Sequence, residues 1–195
     1  LYVKVLLVLL LTAAAADAQS YHFGKCPKPS VQKDFNYMGT WYEIEKLPAV
    51  FERGTCNKAT YSLLADGTVK VRNAELSNGK INSIEGVAKV KNSSQPAILD
   101  VSFFKVPGSP YWVLSTDHQS YSLVYSCSDY FGHFHVDFAW ILARTRVLTE
   151  DVISKIMILF LFCISLTCLL FYSSAKRNDR PIIGKFITLF TAMLN

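Results

Sequence analysis

The side chains that could do chemistry in this chain are few and scattered. His133 and His135 stand two residues apart, so on an extended strand both imidazoles leave one face at a separation a metal ion could bridge. No third ligand is evident nearby and no nucleophile motif accompanies the four histidines, so the pair is expected to face outward into solvent. On this reading the protein is not an enzyme and needs neither a metal nor a cofactor. The five cysteines, Cys26, Cys56, Cys127, Cys163 and Cys168, are widely spaced and include no C-x-x-C pair. That spacing argues against zinc and for disulfides. Asn92-Ser93-Ser94 fits the glycosylation sequon, usable on an exposed turn of an exported protein. The net charge of +5 comes from Lys and Arg scattered among acids, with no basic run and no interleaved aromatics. That pattern excludes a nucleic-acid footprint.

These residues must be held by elements, and the first element is one that processing removes. Lys4 precedes an uncharged apolar run, Val5 to Ala16, which ends in Ala13-Ala14-Ala15-Ala16-Asp17-Ala18. This is the charged, apolar and small-residue order of a secretory signal peptide over 1–18, so the mature chain is expected to begin at Gln19 and to meet an oxidising compartment.

From Gly39 to Leu142 short runs rich in Val, Ile, Thr and aromatics alternate with turn signals: Ala65-Asp66-Gly67, Ser77-Asn78-Gly79, Asn92-Ser93-Ser94, Pro107-Gly108-Ser109-Pro110 and Asp117-His118-Gln119. Roughly eight strands fit between those turns, at the spacing of a sandwich or a barrel. Turns this short make an antiparallel meander, and closing it removes the exposed sheet edges. In Phe134 to Leu142 one parity carries Phe134, Val136, Phe138, Trp140 and Leu142, the other His135, Asp137, Ala139 and Ile141. The aromatic parity is expected to point inward, into either a packed core or a cavity.

Three short motifs then carry a family resemblance. Gly39-Thr40-Trp41-Tyr42 on the first of these strands, Thr116-Asp117 with Tyr121 between the sixth and seventh, and Arg144 just after the eighth resemble, in order, the three signatures of the lipocalin family. The second signature usually reads Thr-Asp-Tyr, and here His118 takes its third place. Longer stretches extend the likeness from about Gln19 to Lys155, among them Gly24-Lys25-Cys26-Pro27, Leu123-Val124-Tyr125-Ser126-Cys127 and His135 through Arg144. The resemblance implies an all-β fold, an eight-stranded up-and-down antiparallel barrel over 19–155 with a C-terminal helix. It implies that Trp41 plugs the closed end with Arg144 laid over its indole, and that Gly39 makes room there. It also implies a disulfide between Cys26 and Cys127, with Cys56 left without its usual partner.

For function the resemblance points to a secreted, extracellular carrier of a small hydrophobic ligand. The branch of the family that these stretches resemble carries fatty acids such as arachidonate and steroids such as progesterone. Carried over by motif, the wall includes Tyr61, Asn73 and Trp140, with Phe138 and Trp112 as further wall residues. Trp140 would offer a flat apolar face while Tyr61 and Asn73 orient the ligand through hydrogen bonds. The partners implied are a lipid or steroid, with a lipoprotein or a membrane surface compatible as a site of association. The same branch suggests an alternative, an antioxidant protein that reduces lipid hydroperoxides through an exposed methionine near the barrel mouth. Here the matching loop, Lys105-Val106-Pro107-Gly108, has none, which leaves Met38, Met157 and Met193.

Beyond Lys155 the chain departs from the family. Thr149-Glu150-Asp151 opens a helix with a capping residue and two early acids. Ile156 to Tyr172 then runs 17 residues without a charge ahead of Lys176-Arg177. That divergent apolar tail, 156–195, reads either as a short transmembrane anchor with a cytosolic C-terminus or as an artefact of gene modelling such as intron read-through.

Overall fold

The structure, a computed structural model, describes residues 21–33, 37–47, 49, 51–52, 54–104 and 107–164. The signal-peptide reading of 1–18, the chain from 165 onward, and Lys105 and Val106 lie outside the described residues.

The β-rich runs form nine strands: β1 (Tyr21–Phe23), β2 (Gly39–Lys46), β3 (Thr55–Leu63), β4 (Val69–Ser77), β5 (Lys80–Val90), β6 (Ile98–Phe103), β7 (Ser109–Thr116), β8 (Tyr121–Tyr130) and β9 (Phe134–Ala143), followed by one helix, α1 (Glu150–Ile164). From β2 to β9 each strand pairs antiparallel with the next, and β9 returns to pair with β2. This closes an eight-stranded meander barrel, as the turn spacing predicts. β1 adds a short ninth strand that the turn count did not include. It takes the start of β9, with His22 opposite His135, while β2 takes its end, with Lys46 opposite Trp140.

Because strand side chains alternate, each barrel strand sends one parity inward. On β9 both parities are covered, for different reasons. Phe138, Trp140 and Leu142 face the barrel interior, whereas His135, Asp137, Ala139 and Ile141 are buried on the outer face. The outer layer also holds α1, whose buried residues Ile153, Ile156 and Phe160 recur at helical spacing. Phe160 meets the Tyr125 ring edge-on at 6.5 Å. Ile156 and Phe160 belong to the uncharged run that starts after Lys155, so its first turns are packed on the barrel. Among the described residues no helix is long and apolar enough to cross a membrane.

The resemblance-based disulfide is present: Cys26 and Cys127 are joined across a sequence separation of 101 residues. Closing a loop that long stabilises by roughly 4 to 5 kcal/mol in the chain-entropy account. Cys56, on β3 at φ 56°, is an exposed free thiol.

Candidate ligand cavity

The closed end of the barrel shows why its residues are needed. Trp41 is fully buried and its Nε1 donates to the Tyr37 carbonyl at 3.0 Å. The Tyr37 ring stacks on it at 4.8 Å between centroids, and the Arg144 guanidinium lies 3.7 Å from the centre of the indole. Such a cation-π contact is worth about 0.5 to 2 kcal/mol. Arg144 Nη1 donates to the Thr40 carbonyl at 3.0 Å, and its other nitrogens reach the His118 carbonyl at 3.4 Å. Gly39 has φ +90°, and a β-carbon there would sit 3.1 Å from Arg144 Nη1. The position therefore asks for glycine both in backbone conformation and in space.

The second motif is a turn lock. Asp117 Oδ1 accepts the backbone N–H of Gln119, Ser120 and Tyr121 at 3.1, 2.8 and 3.0 Å. Thr116 Oγ1 donates to the Tyr121 carbonyl at 2.7 Å and accepts from the His118 N–H at 2.9 Å. Desolvation pushes the Asp117 carboxyl up, but the Ser120 hydroxyl and the backbone N–H groups together outweigh it and hold the carboxyl below the usual carboxylate range. His118, in the place the family gives to tyrosine, adopts φ +64° and supplies the carbonyl that Arg144 uses. These six residues brace the end of the barrel that carries the indole.

Above that plug lies a cavity of about 640 Å³, within the range of small-ligand sites. Its floor holds a tyrosine relay: Tyr61 and Tyr111 hydroxyls meet at 2.8 Å, and Tyr111 and Tyr37 at 3.2 Å. Burial pushes all three phenols above their ordinary range, so they stay neutral hydrogen-bonding groups. One wall is aromatic. Trp140 stacks near Phe138 at 6.0 Å and Tyr111 at 6.4 Å, and Phe51 meets Phe138 edge-on at 5.1 Å. The other wall is polar, with Glu43, Glu52, Asn57 and Asn73. Trp140 Nε1 donates to Glu52 Oε2 at 3.3 Å, which fixes the plane its indole presents.

Of the wall residues expected from the sequence, Tyr61, Asn73, Phe138 and Trp140 border this cavity together. Trp112 does not: it lies on the outer face of β7 and stacks on Tyr125 at 5.6 Å, in the layer beside α1. Its neighbour Tyr111 holds the inward parity instead. The two adjacent aromatics look alike in the sequence, and only barrel closure separates them. Glu43 joins Tyr61, Asn73, Phe138 and Trp140 in the wall; it stands two residues from the inward Trp41 and shares its parity, so the sequence carries the signal for it.

The histidine expectation also needs correction. His133 is exposed, but His135 is buried: its ring stacks on His22 at 5.3 Å and its Nδ1 lies 2.9 Å from the Gly24 carbonyl. The added strand β1, absent from the strand count, is what covers it. Among the described residues no group of three or more His, Cys, Asp or Glu is placed to hold a metal. Met38 packs against the core cluster that contains Trp41. Asn92 is exposed in the turn after β5, where its Oδ1 accepts from the Ser94 N–H at 3.0 Å and hydroxyl at 2.8 Å.

Comparison with known proteins agrees with this geometry. Residues 35–159 match the family model described as a lipocalin-like domain. Apolipoprotein D of Rattus norvegicus is 49% identical over 158 residues, covering 76% of this chain and 84% of the relative. The bilin-binding protein of Pieris brassicae is 36% identical over 154 residues, covering 74% and 80%. Among solved structures, insecticyanin of the tobacco hornworm Manduca sexta superposes with a TM-score of 0.66 at 28% identity, covering 75% of this chain and 84% of that one.

Proposed function

The chain belongs to the lipocalin family, and from that premise we propose that it is an extracellular carrier that holds one small hydrophobic molecule inside the barrel. The observation that carries this reading is the 640 Å³ cavity, with Trp140, Phe138 and Phe51 on one side and a limited set of polar groups on the other. Apolar walls supply affinity through burial, while Tyr61, Tyr111 and Asn73 orient the guest. The disulfide between Cys26 and Cys127 supports export, because such bonds persist in oxidising compartments. Export would also make Asn92 an accessible glycan acceptor.

Fatty acids such as arachidonate and steroids such as progesterone are the ligand classes that we assign to this cavity. Association with a lipoprotein or a membrane surface is supported by the rim. Phe51, Phe104 and Phe131, from three loops at the open end, are 60%, 80% and 91% exposed. Exposed aromatics on the loops at that end suit contact with lipid, and two of them, Phe51 and Phe104, also border the cavity into which a guest could pass.

Tryptophan fluorescence tests the reading. Adding arachidonate or progesterone should quench emission saturably, because Trp140 stands in the wall. Trp140→Ala should weaken binding by roughly 1 to 3 kcal/mol, the worth of a buried aromatic face. Unchanged affinity in that variant would remove Trp140 from the site.

A further inference from the structure

Among the described residues, the polar wall of the cavity is rich in acceptors and poor in free cations. Glu43, on β2, accepts Asn57 Nδ2 at 3.1 and 3.2 Å on its two oxygens and pairs with Lys46 Nζ at 3.2 Å. Lys46 Nζ also pairs with Glu52 at 2.8 Å, so this one ammonium is already divided between two carboxylates. Glu75, on β4, accepts the Gly54 N–H at 2.8 Å. Among the described residues, the one ammonium that borders the cavity is Lys58 of β3. Its neighbour Ala59 packs against the core, so alternation turns Lys58 to the outer face. Asn57 Oδ1 and Asn73 Oδ1 are buried with no hydrogen-bond partner.

A ligand carboxylate placed in this wall would meet like charge, and among the described residues no cation is left to neutralise it. Two carboxylates that share a desolvated site do not both stay ionised; one holds a proton. A neutral head meets no such penalty, and a head that donates a hydrogen bond can satisfy an orphaned acceptor.

We propose that the cavity takes its lipid with an uncharged head, so that a fatty acid binds together with one proton from solvent, shared between its carboxyl group and Glu43. The inference rests on the carrier reading above. Glu43 is suited to the role because burial and the nearby Glu52 already raise its carboxyl to about 6, against the opposing pull of Lys46 and Asn57. Among the described residues, the groups that face it are Lys46 of its own strand, Glu52 of the segment after β2, and Asn57 of β3, with Trp140 of β9 tied to Glu52. The proton balance is simple. Solvent or buffer loses one proton, the carboxyl pair gains it, and no bond to carbon changes.

The test compares two lipids of one chain length, arachidonate and arachidonyl alcohol, against the full-length chain at about pH 5.5 and about pH 8. Tryptophan quenching gives affinity, and calorimetry in two buffers of different ionisation enthalpy gives protons taken up. The alcohol should bind with the same affinity at both pH values and take up none. Arachidonate should weaken by about tenfold or more toward the higher pH and take up about one proton at the higher pH. Glu43→Gln, a neutral donor in the same place, should restore arachidonate binding at the higher pH and abolish the uptake. Arachidonate binding equally at both pH values without proton uptake overturns the proposal, and so does undiminished uptake in Glu43→Gln. Binding of neither lipid overturns the carrier reading itself, and this inference with it.

Discussion

The plug at the closed end allows a stability measurement whose outcome is worked from contacts. Trp41→Ala removes the largest fully buried side chain of the barrel and strands the Tyr37 carbonyl that accepted its Nε1–H. Truncating a buried tryptophan costs about 3 to 5 kcal/mol, and the orphaned carbonyl keeps this change at the upper end. Arg144→Ala removes a guanidinium that is only partly buried; it loses the 3.7 Å stack and hydrogen bonds to the Thr40 and His118 carbonyls, about 1 to 2 kcal/mol in all. If the stack carries energy, the double variant should lose less than the two singles added, by about 0.5 to 1.5 kcal/mol. Urea unfolding followed by far-ultraviolet circular dichroism measures all four proteins without relying on the tryptophan that has been removed. Strict additivity, within about 0.3 kcal/mol, would refute the pairing and leave Trp41 as ordinary core.

The outer layer and the floor each bear on a measurement. Tyr111→Phe should weaken binding of a hydroxyl-bearing ligand by about 0.5 to 1.5 kcal/mol, while Trp112→Ala should leave ligand affinity unchanged and lower only the unfolding midpoint; quenching titrations and urea curves on both variants separate the two effects. His22 Nε2 lies 3.0 Å from Asp137, a fully buried carboxylate, and this hydrogen bond holds the imidazole above its ordinary 6.5 despite burial. A raised histidine contributes stability that is fully present below the unfolded value near 6.5 and is lost as pH rises through the folded value. Unfolding midpoints should therefore fall on the alkaline side of about pH 6.5, and His22→Ala should flatten that slope.

How much of this was legible in the sequence depends on the range of the interaction. Turn chemistry is local, so Asp66-Gly67 and Asn78-Gly79 marked hairpins that the structure contains, with both glycines at positive φ. Alternation is also local, so the parity of Phe138 and Trp140 was readable before any fold was known. The three motifs announced the plug because Gly39, Trp41 and Arg144 must meet for steric and electrostatic reasons that recur wherever this barrel closes.

What the chain could not announce by itself was which parity faces the cavity when both are apolar. Tyr111 and Trp112 are adjacent aromatics, and each is covered, one by the barrel interior and the other by the layer beside α1. Period-two alternation assigns them to opposite faces but does not say which face is inside; that is decided when β9 closes on β2. The burial of His135 was hidden for the same reason, since its cover comes from β1, more than a hundred residues away in sequence. The division of Lys46 between Glu43 and Glu52, and with it the charge of that part of the wall, likewise exists only once Glu52 is brought back to Lys46 of β2. Local pattern determined the strands, the turns and the motif residues. Long-range closure decided which side chains face the ligand, because contact between distant segments depends on where the whole sheet curls.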